Sequence, residues 1–178
     1  MKTACAKVLS RSLCIGILTG LVGSVHALGL QIPQIDGCTN ALGSAESATV
    51  KIPARADAQH SGEFVINGKV SCSPPNYPGG QMSMKINMSD SQIQGLVTLI
   101  NFDYVVSTGK HTPTLYFSGQ CKAEGVAGCR YWLFMTDNAK PGVRLDVAGF
   151  LILDGNGQRV AYGTGVLARG EINVAPAP

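Results

Sequence analysis

Apolar and polar residues alternate with period two through most of the chain, the pattern of β-strands that bury one face. Between Leu96 and Val106, the residues Leu96, Thr98, Ile100, Phe102, Tyr104 and Val106 share one parity. Asn101, Asp103 and Ser107 take the other, so the spacing predicts one long strand with the first set buried. Tyr131, Leu133 and Met135 alternate with Arg130, Trp132 and Phe134, which predicts a strand covered on both faces. Leu145, Val147, Gly149, Leu151 and Leu153 alternate with Asp146, Ala148, Phe150 and Ile152. Ala48 to Pro53, Glu63 to Cys72, Gln81 to Met88, Thr114 to Ser118, Arg159 to Leu167 and Glu171 to Val174 bring the expected total to about nine strands.

Turn-forming residues punctuate these runs. Asn67-Gly68 can supply the two positive-φ residues of a tight hairpin between Phe64-Val-Ile66 and Lys69-Val-Ser-Cys72. Asp154-Gly-Asn-Gly157 suits a second hairpin and Ser107-Thr-Gly-Lys110 a further connection, while the Pro- and Gly-rich run Ser73 to Gly80 cannot continue a strand. No segment shows helical periodicity at ordinary length, and Asp90 could cap at most a single turn before Gly95. Without helices for βαβ crossovers, the expected fold is all-β and antiparallel. A β-sandwich is preferred to a barrel because several strands are apolar on both faces.

The N-terminus departs from this pattern. Lys2, Lys7 and Arg11 precede an uncharged stretch, and Val25-His26-Ala27 places small residues where a signal peptidase cleaves, so residues 1–27 read as a secretory signal peptide. The remainder, 28–178, reads as one domain, irregular over 28–46 and 175–178. Loss of the signal removes three of the 14 Lys and Arg residues, leaving 11 against 11 Asp and Glu, and the formal charge of +3 falls to zero. A neutral chain without a basic cluster gives nucleic acid no phosphate-tracking surface. No stable membrane span is expected once the signal is cleaved. The expected location is exported: secreted, periplasmic or cell-surface.

Four cysteines remain after cleavage, and in an oxidising compartment an even number implies disulfides. The expected pairs are the sequence-local ones, Cys38 with Cys72 and Cys121 with Cys129, the second clipping a hairpin around Lys122 to Gly128.

Candidate chemistry is sparse. No Gly-x-Ser-x-Gly elbow is present, and His60 and His111 sit in polar, turn-like settings. The strongest hydrolase reading uses carboxylates, Asp103 with Asp137, or His111 as a base. Met82, Met84 and Met88 share one strand face, as a periplasmic copper carrier would require, although Ile86 completes an ordinary apolar row. Asp154-Gly-Asn-Gly-Gln158 lacks the acid at the twelfth position of a calcium loop, and no motif calls for a cofactor. Aromatic residues are the best sign of binding: Tyr77 in the Pro/Gly loop, and Tyr104 and Trp132 beside polar neighbours. The chain therefore reads as an exported, non-catalytic binding, surface-interaction or assembly module, with a protein or a carbohydrate as its ligand. The low surface charge also permits self-association by strand edges.

Overall fold

A computed structural model describes residues 41–52, 60–73, 78–138 and 145–175, all within the compact unit Gln34–Pro178. Nine strands follow one another: β1 (Ala41–Ile52), β2 (Gly62–Cys72), β3 (Gly79–Met88), β4 (Gly95–Leu99), β5 (Tyr104–Thr108), β6 (Thr114–Ala123), β7 (Arg130–Thr136), β8 (Val147–Leu153) and β9 (Arg159–Val174). All pairings are antiparallel, in the order β4-β3-β2-β1-β9-β8-β7-β6-β5, and an additional β4–β6 pairing joins the two flanks. Eight strands thereby close into a barrel, and β5 is an extra strand on β6. This corrects the expected sandwich. Apolar residues on the second face of β7 and β8 had suggested a covering sheet, but these side chains lie on the outside of the barrel.

Closure depends on a bend. Val97↔Ala123 and Leu99↔Cys121 pair β4 with the end of β6, and Tyr104↔Ser118 through Thr108↔Thr114 pair β5 with its beginning. The expected strand Leu96–Val106 is thus two strands joined by a turn of chain at 100–103. The expected face is also wrong on both sides of that turn: Val97 and Leu99 point inward, while Leu96 and Ile100 are 63% and 59% exposed, and Tyr104 and Val106 point outward. Only Phe102, at the bend, is inside, packed on Phe117 and Tyr131. Asn101 fixes the bend, its carbonyl accepting from Tyr131 Oη (2.8 Å) and its Oδ1 accepting from the Gln120 amide (2.6 Å). Beyond it Val105 and Ser107 face inward, and Ser107 donates to the Ala175 carbonyl.

Other elements differ from the sequence pattern in instructive ways. Asn67-Gly68 is no hairpin turn but lies within β2, where Asn67 Oδ1 accepts from the Ser47 amide at an irregularity of β1. β1 begins at Ala41, inside the stretch expected to be irregular, and the two segments expected over 159–174 are one strand with register shifts against β1. Asp90 caps no helix; Ser89 and Asp90 form a turn leading to Ile93, which is buried in the core. Asp154 makes the expected β8–β9 hairpin, its Oδ1 accepting from the amides of Asn156 and Gln158.

An eight-stranded barrel is just wide enough for side chains to fill its interior. Phe64, Ile66, Met84, Ile86, Leu115, Phe117, Tyr131, Met135, Ile152 and Ile172 are all less than 2% exposed inside it. A membrane barrel has the opposite arrangement, with a polar interior and an apolar outer band. Here Glu63, Lys69, Lys85 and Lys122 are at outward-facing positions.

Candidate binding face

The Cys121–Cys129 bond is present as expected, with Cα atoms 5.0 Å apart, and it clips the β6–β7 hairpin. Cys72 is disulfide-bonded as well, but Cys38 and residues 1–27, where a signal peptide is expected, lie outside the described residues, as does Tyr77.

The candidate catalytic residues are dispersed. The Asp103 amide donates to Ser118 and the Asp137 amide to Pro113, five residues apart along β6. That separates the two backbones by roughly 17 Å at strand rise, beyond any carboxylate pair that shares a glycosidic bond. Asp103 pairs with Arg130 at 3.3 Å, both half-exposed. Asp137 accepts from the Val174 amide at the opposite end of the barrel. There Asp146 has its carboxyl pushed above the usual range, chiefly by burial, opposed by a hydrogen bond from the Asn138 amide and reinforced by the charges of Asp137 and Glu171. His111 is exposed in the β5–β6 connection. Tyr131 is raised by burial and then by the nearby Asp103 charge, so its phenol stays protonated and serves as the donor to Asn101.

Met82, Met84 and Met88 do share a face, and it is the interior: they are 3%, 1% and 2% exposed, in line with Ile86. Buried among apolar side chains, these thioethers act as core filler.

The two candidate binding residues in the described chain are brought together. Tyr104 of β5 lies opposite Ser118 of β6, and Ser118 lies opposite Trp132 of β7; the same row continues through Leu151 of β8 to Tyr162 of β9. The next row runs Val106, Tyr116, Phe134, Gly149 and Thr164. Both rows face outward. The Tyr116 and Phe134 rings are 6.0 Å apart, and the Phe134 ring fills the space above Gly149, where a Cβ would come within 2.5 Å of it. Trp132 is half-buried, and its Nε1 is covered without a partner among the described residues, an arrangement worth about 1–3 kcal/mol against the fold.

Sequence reasoning missed the residues that hold the far end of the first row. His60 stacks on Tyr162 with ring centroids 4.1 Å apart, and its Nδ1 sits 2.9 and 3.0 Å from the two carboxylate oxygens of Asp90. The Arg159 guanidinium also lies 4.1 Å from the Tyr162 centroid. His60 and Asp90 are 30 residues apart in separate connections, so only strand pairing makes them neighbours. Their effect is to fix Tyr162 as the end of the row. A shallow depression nearby, lined by Gln92, Glu124, Asp154 and the glycines of two turns, adds little chemistry, because Asp154 Oδ1 is already engaged by its own turn.

Sequence and structure comparisons supply no relative: no family model, no curated protein and no solved structure matches this chain.

Proposed function

We propose that this protein is an exported, non-catalytic binding module whose recognition surface is the outer face of β5, β6 and β7 with the start of β9. One observation carries the reading: the outward-facing rings of the described residues are confined to that side. Tyr104, Tyr116, Trp132, Phe134 and Tyr162 stand there, whereas Phe64, Phe102, Phe117, Tyr131 and Phe150 are inside. Tyr and Trp supply rigid contact area with a polar tip, which suits a surface that is wet until it meets a partner. A stapled barrel also suits an oxidising compartment outside the cytosol.

The test compares retention of the purified mature protein on cell envelopes from the producing organism. The double variant Tyr104→Ala/Trp132→Ala is expected to lose most retention, and Lys85→Ala/Asn87→Ala on the polar outer face of β3 to keep it. Equal retention by both variants removes the proposed face. Turnover of any substrate that disappears on changing Asp103, Asp137 or His111 removes the non-catalytic reading.

A further inference from the structure

The dipeptide Asn-Gly occurs twice, at Asn67-Gly68 and Asn156-Gly157, and the fold treats the two copies differently. Both asparagines are exposed, so access of water does not separate them. Asn67 lies inside β2, where Gly68 is opposite Ala45 of β1 on one side and Met82 of β3 on the other. Its carboxamide is engaged, Oδ1 accepting from the Ser47 amide at 3.3 Å. Asn156 stands at the tip of the β8–β9 hairpin. Its backbone amide donates to Asp154 Oδ1, but its carboxamide makes no hydrogen bond among the described residues. The space around the two glycines differs as well: a Cβ at Gly157 would meet nothing within 4 Å, whereas one at Gly68 would lie 2.0 Å from the Gln81 carbonyl oxygen.

An asparagine carboxamide can be attacked by the next residue's amide nitrogen, and glycine leaves that nitrogen unhindered and its backbone free to turn. Ring closure requires rotation about the asparagine Cα–C bond until the nitrogen meets Cγ. At Asn67 this rotation breaks pairing with β1 and β3 together, so it waits on opening of the sheet. At Asn156 it costs one turn hydrogen bond, from the Gly157 amide to the Asp154 carbonyl at 3.0 Å, and no strand need separate. The analogous acid pair Asp154-Gly155 is held by both partners: the Gly155 amide donates to the Ala127 carbonyl at 2.8 Å, and Asp154 Oδ1 accepts from the amides of Asn156 and Gln158.

We propose that Asn156 is a site of spontaneous modification, converted in the folded protein to aspartate and isoaspartate while Asn67 is preserved. A solvent base takes the proton of the Gly157 amide, and the nitrogen attacks Cγ of Asn156. The Cγ–Nδ2 bond breaks, and Nδ2 takes a proton from solvent and leaves as ammonia. One water molecule then opens the cyclic imide. Cleavage of the new N–Cγ bond yields aspartate; cleavage between the nitrogen and the main-chain carbonyl carbon yields isoaspartate. Either product takes the formal charge of residues 28–178 from zero to −1. Isoaspartate also adds one carbon to the main chain within the turn that Asp154 organises.

The experiment ages the folded protein in mildly alkaline buffer made with heavy-oxygen water, then digests it with trypsin in ordinary water. Tryptic peptides 56–69 and 145–159 carry Asn67 and Asn156 as their only asparagines, so mass spectra follow each site separately. Conversion at Asn156 is expected to be about tenfold faster than at Asn67, or more, with one heavy oxygen in each of two chromatographically distinct products. In denaturant the two rates should converge, because the dipeptide is the same. Asn156→Gln should abolish the acidic form that native isoelectric focusing resolves on ageing, and Asn67→Gln should leave it. The proposal is overturned by no conversion at Asn156, by equal or faster conversion at Asn67 in the folded protein, or by a rate ratio that persists in denaturant, which would assign the difference to flanking sequence rather than to the fold.

Discussion

The two sides of the barrel share one interior and differ in their exteriors. Inside, Met82, Met84, Ile86 and Met88 of β3 do for one side what Leu115 and Phe117 of β6 and Leu133 and Met135 of β7 do for the other, all 3% exposed or less. Outside, β2 and β3 present Glu63, Asn67, Lys69, Gln81, Lys85 and Asn87, whereas β6 and β7 present Tyr116, Ser118, Trp132 and Phe134. Folding a barrel requires one apolar face per strand, and every strand has it. The second apolar face is surplus to folding. Its rings are half-buried apart from Tyr116, which is 45% exposed.

The comparison can be broken most severely by adding a methyl group on either side. Gly68→Ala on the polar side combines a φ of 125° with a Cβ only 2.0 Å from the Gln81 carbonyl oxygen, and backbone cannot move aside. A loss of about 3 kcal/mol is expected in denaturant melts, with aromatic-face binding retained by the variant at low temperature. Next comes the staple of the aromatic side: Cys121→Ser/Cys129→Ser should destabilise by roughly 2–3 kcal/mol, again read by denaturant melts.

Gly149→Ala should be milder, about 1–2 kcal/mol, because its new methyl meets the Phe134 ring and the Thr164 hydroxyl, both at 2.5 Å, and both are side chains rather than backbone. Its binding should fall further than its stability, the reverse of Gly68→Ala. Trp132→Ala is expected to destabilise by about 1–2 kcal/mol, since it removes a half-buried ring but also an unpaired donor, whereas Lys85→Ala should stay within about 0.5 kcal/mol.

The smallest effect concerns Asp146, at the barrel end away from His60. Folding raises its pKa, so the native state holds this proton more tightly than the unfolded chain does. Stability from this carboxyl is present at acid pH and is lost as pH rises through the region just above the usual carboxylate value. Asp146→Asn keeps the acceptor for the Asn138 amide and should raise the melting temperature at neutral pH by no more than about 2 °C, with no gain at acid pH. A gain of equal size at both pH values would show that charge is not its cause.

Much of this molecule was legible in advance where the argument was local. Period-two alternation located β2, β3, β7 and β8 closely, Asp154-Gly-Asn-Gly157 made its hairpin, and the small-residue loop between Cys121 and Cys129 was correctly read as a clipped hairpin. Local signals failed where a distant strand set the outcome. Asn67-Gly68 has the chemistry of a turn, yet pairing with β1 and β3 on both sides holds it extended. The Leu96–Val106 alternation could not reveal that the chain bends at Asn101 so that β4 and β5 both reach β6. Of the candidate site, Tyr104 and Trp132 were recognisable as rings beside polar residues, but not as partners across Ser118. His60 and Asp90 were invisible as a pair.

The sequence by itself determined strands, most of their inward faces, the hairpin disulfide and the neutral charge of residues 28–178, because each depends on nearest neighbours along the chain or on simple counting. Only the tertiary structure decided that the sheet closes through β4 and β6 into a barrel rather than splitting into a sandwich. The same closure decided that the second apolar face of β6 and β7 is an exterior rather than an interior. An alternating strand specifies two faces but not what each one touches; that is fixed by register and closure, which are set by pairings between residues far apart in the chain.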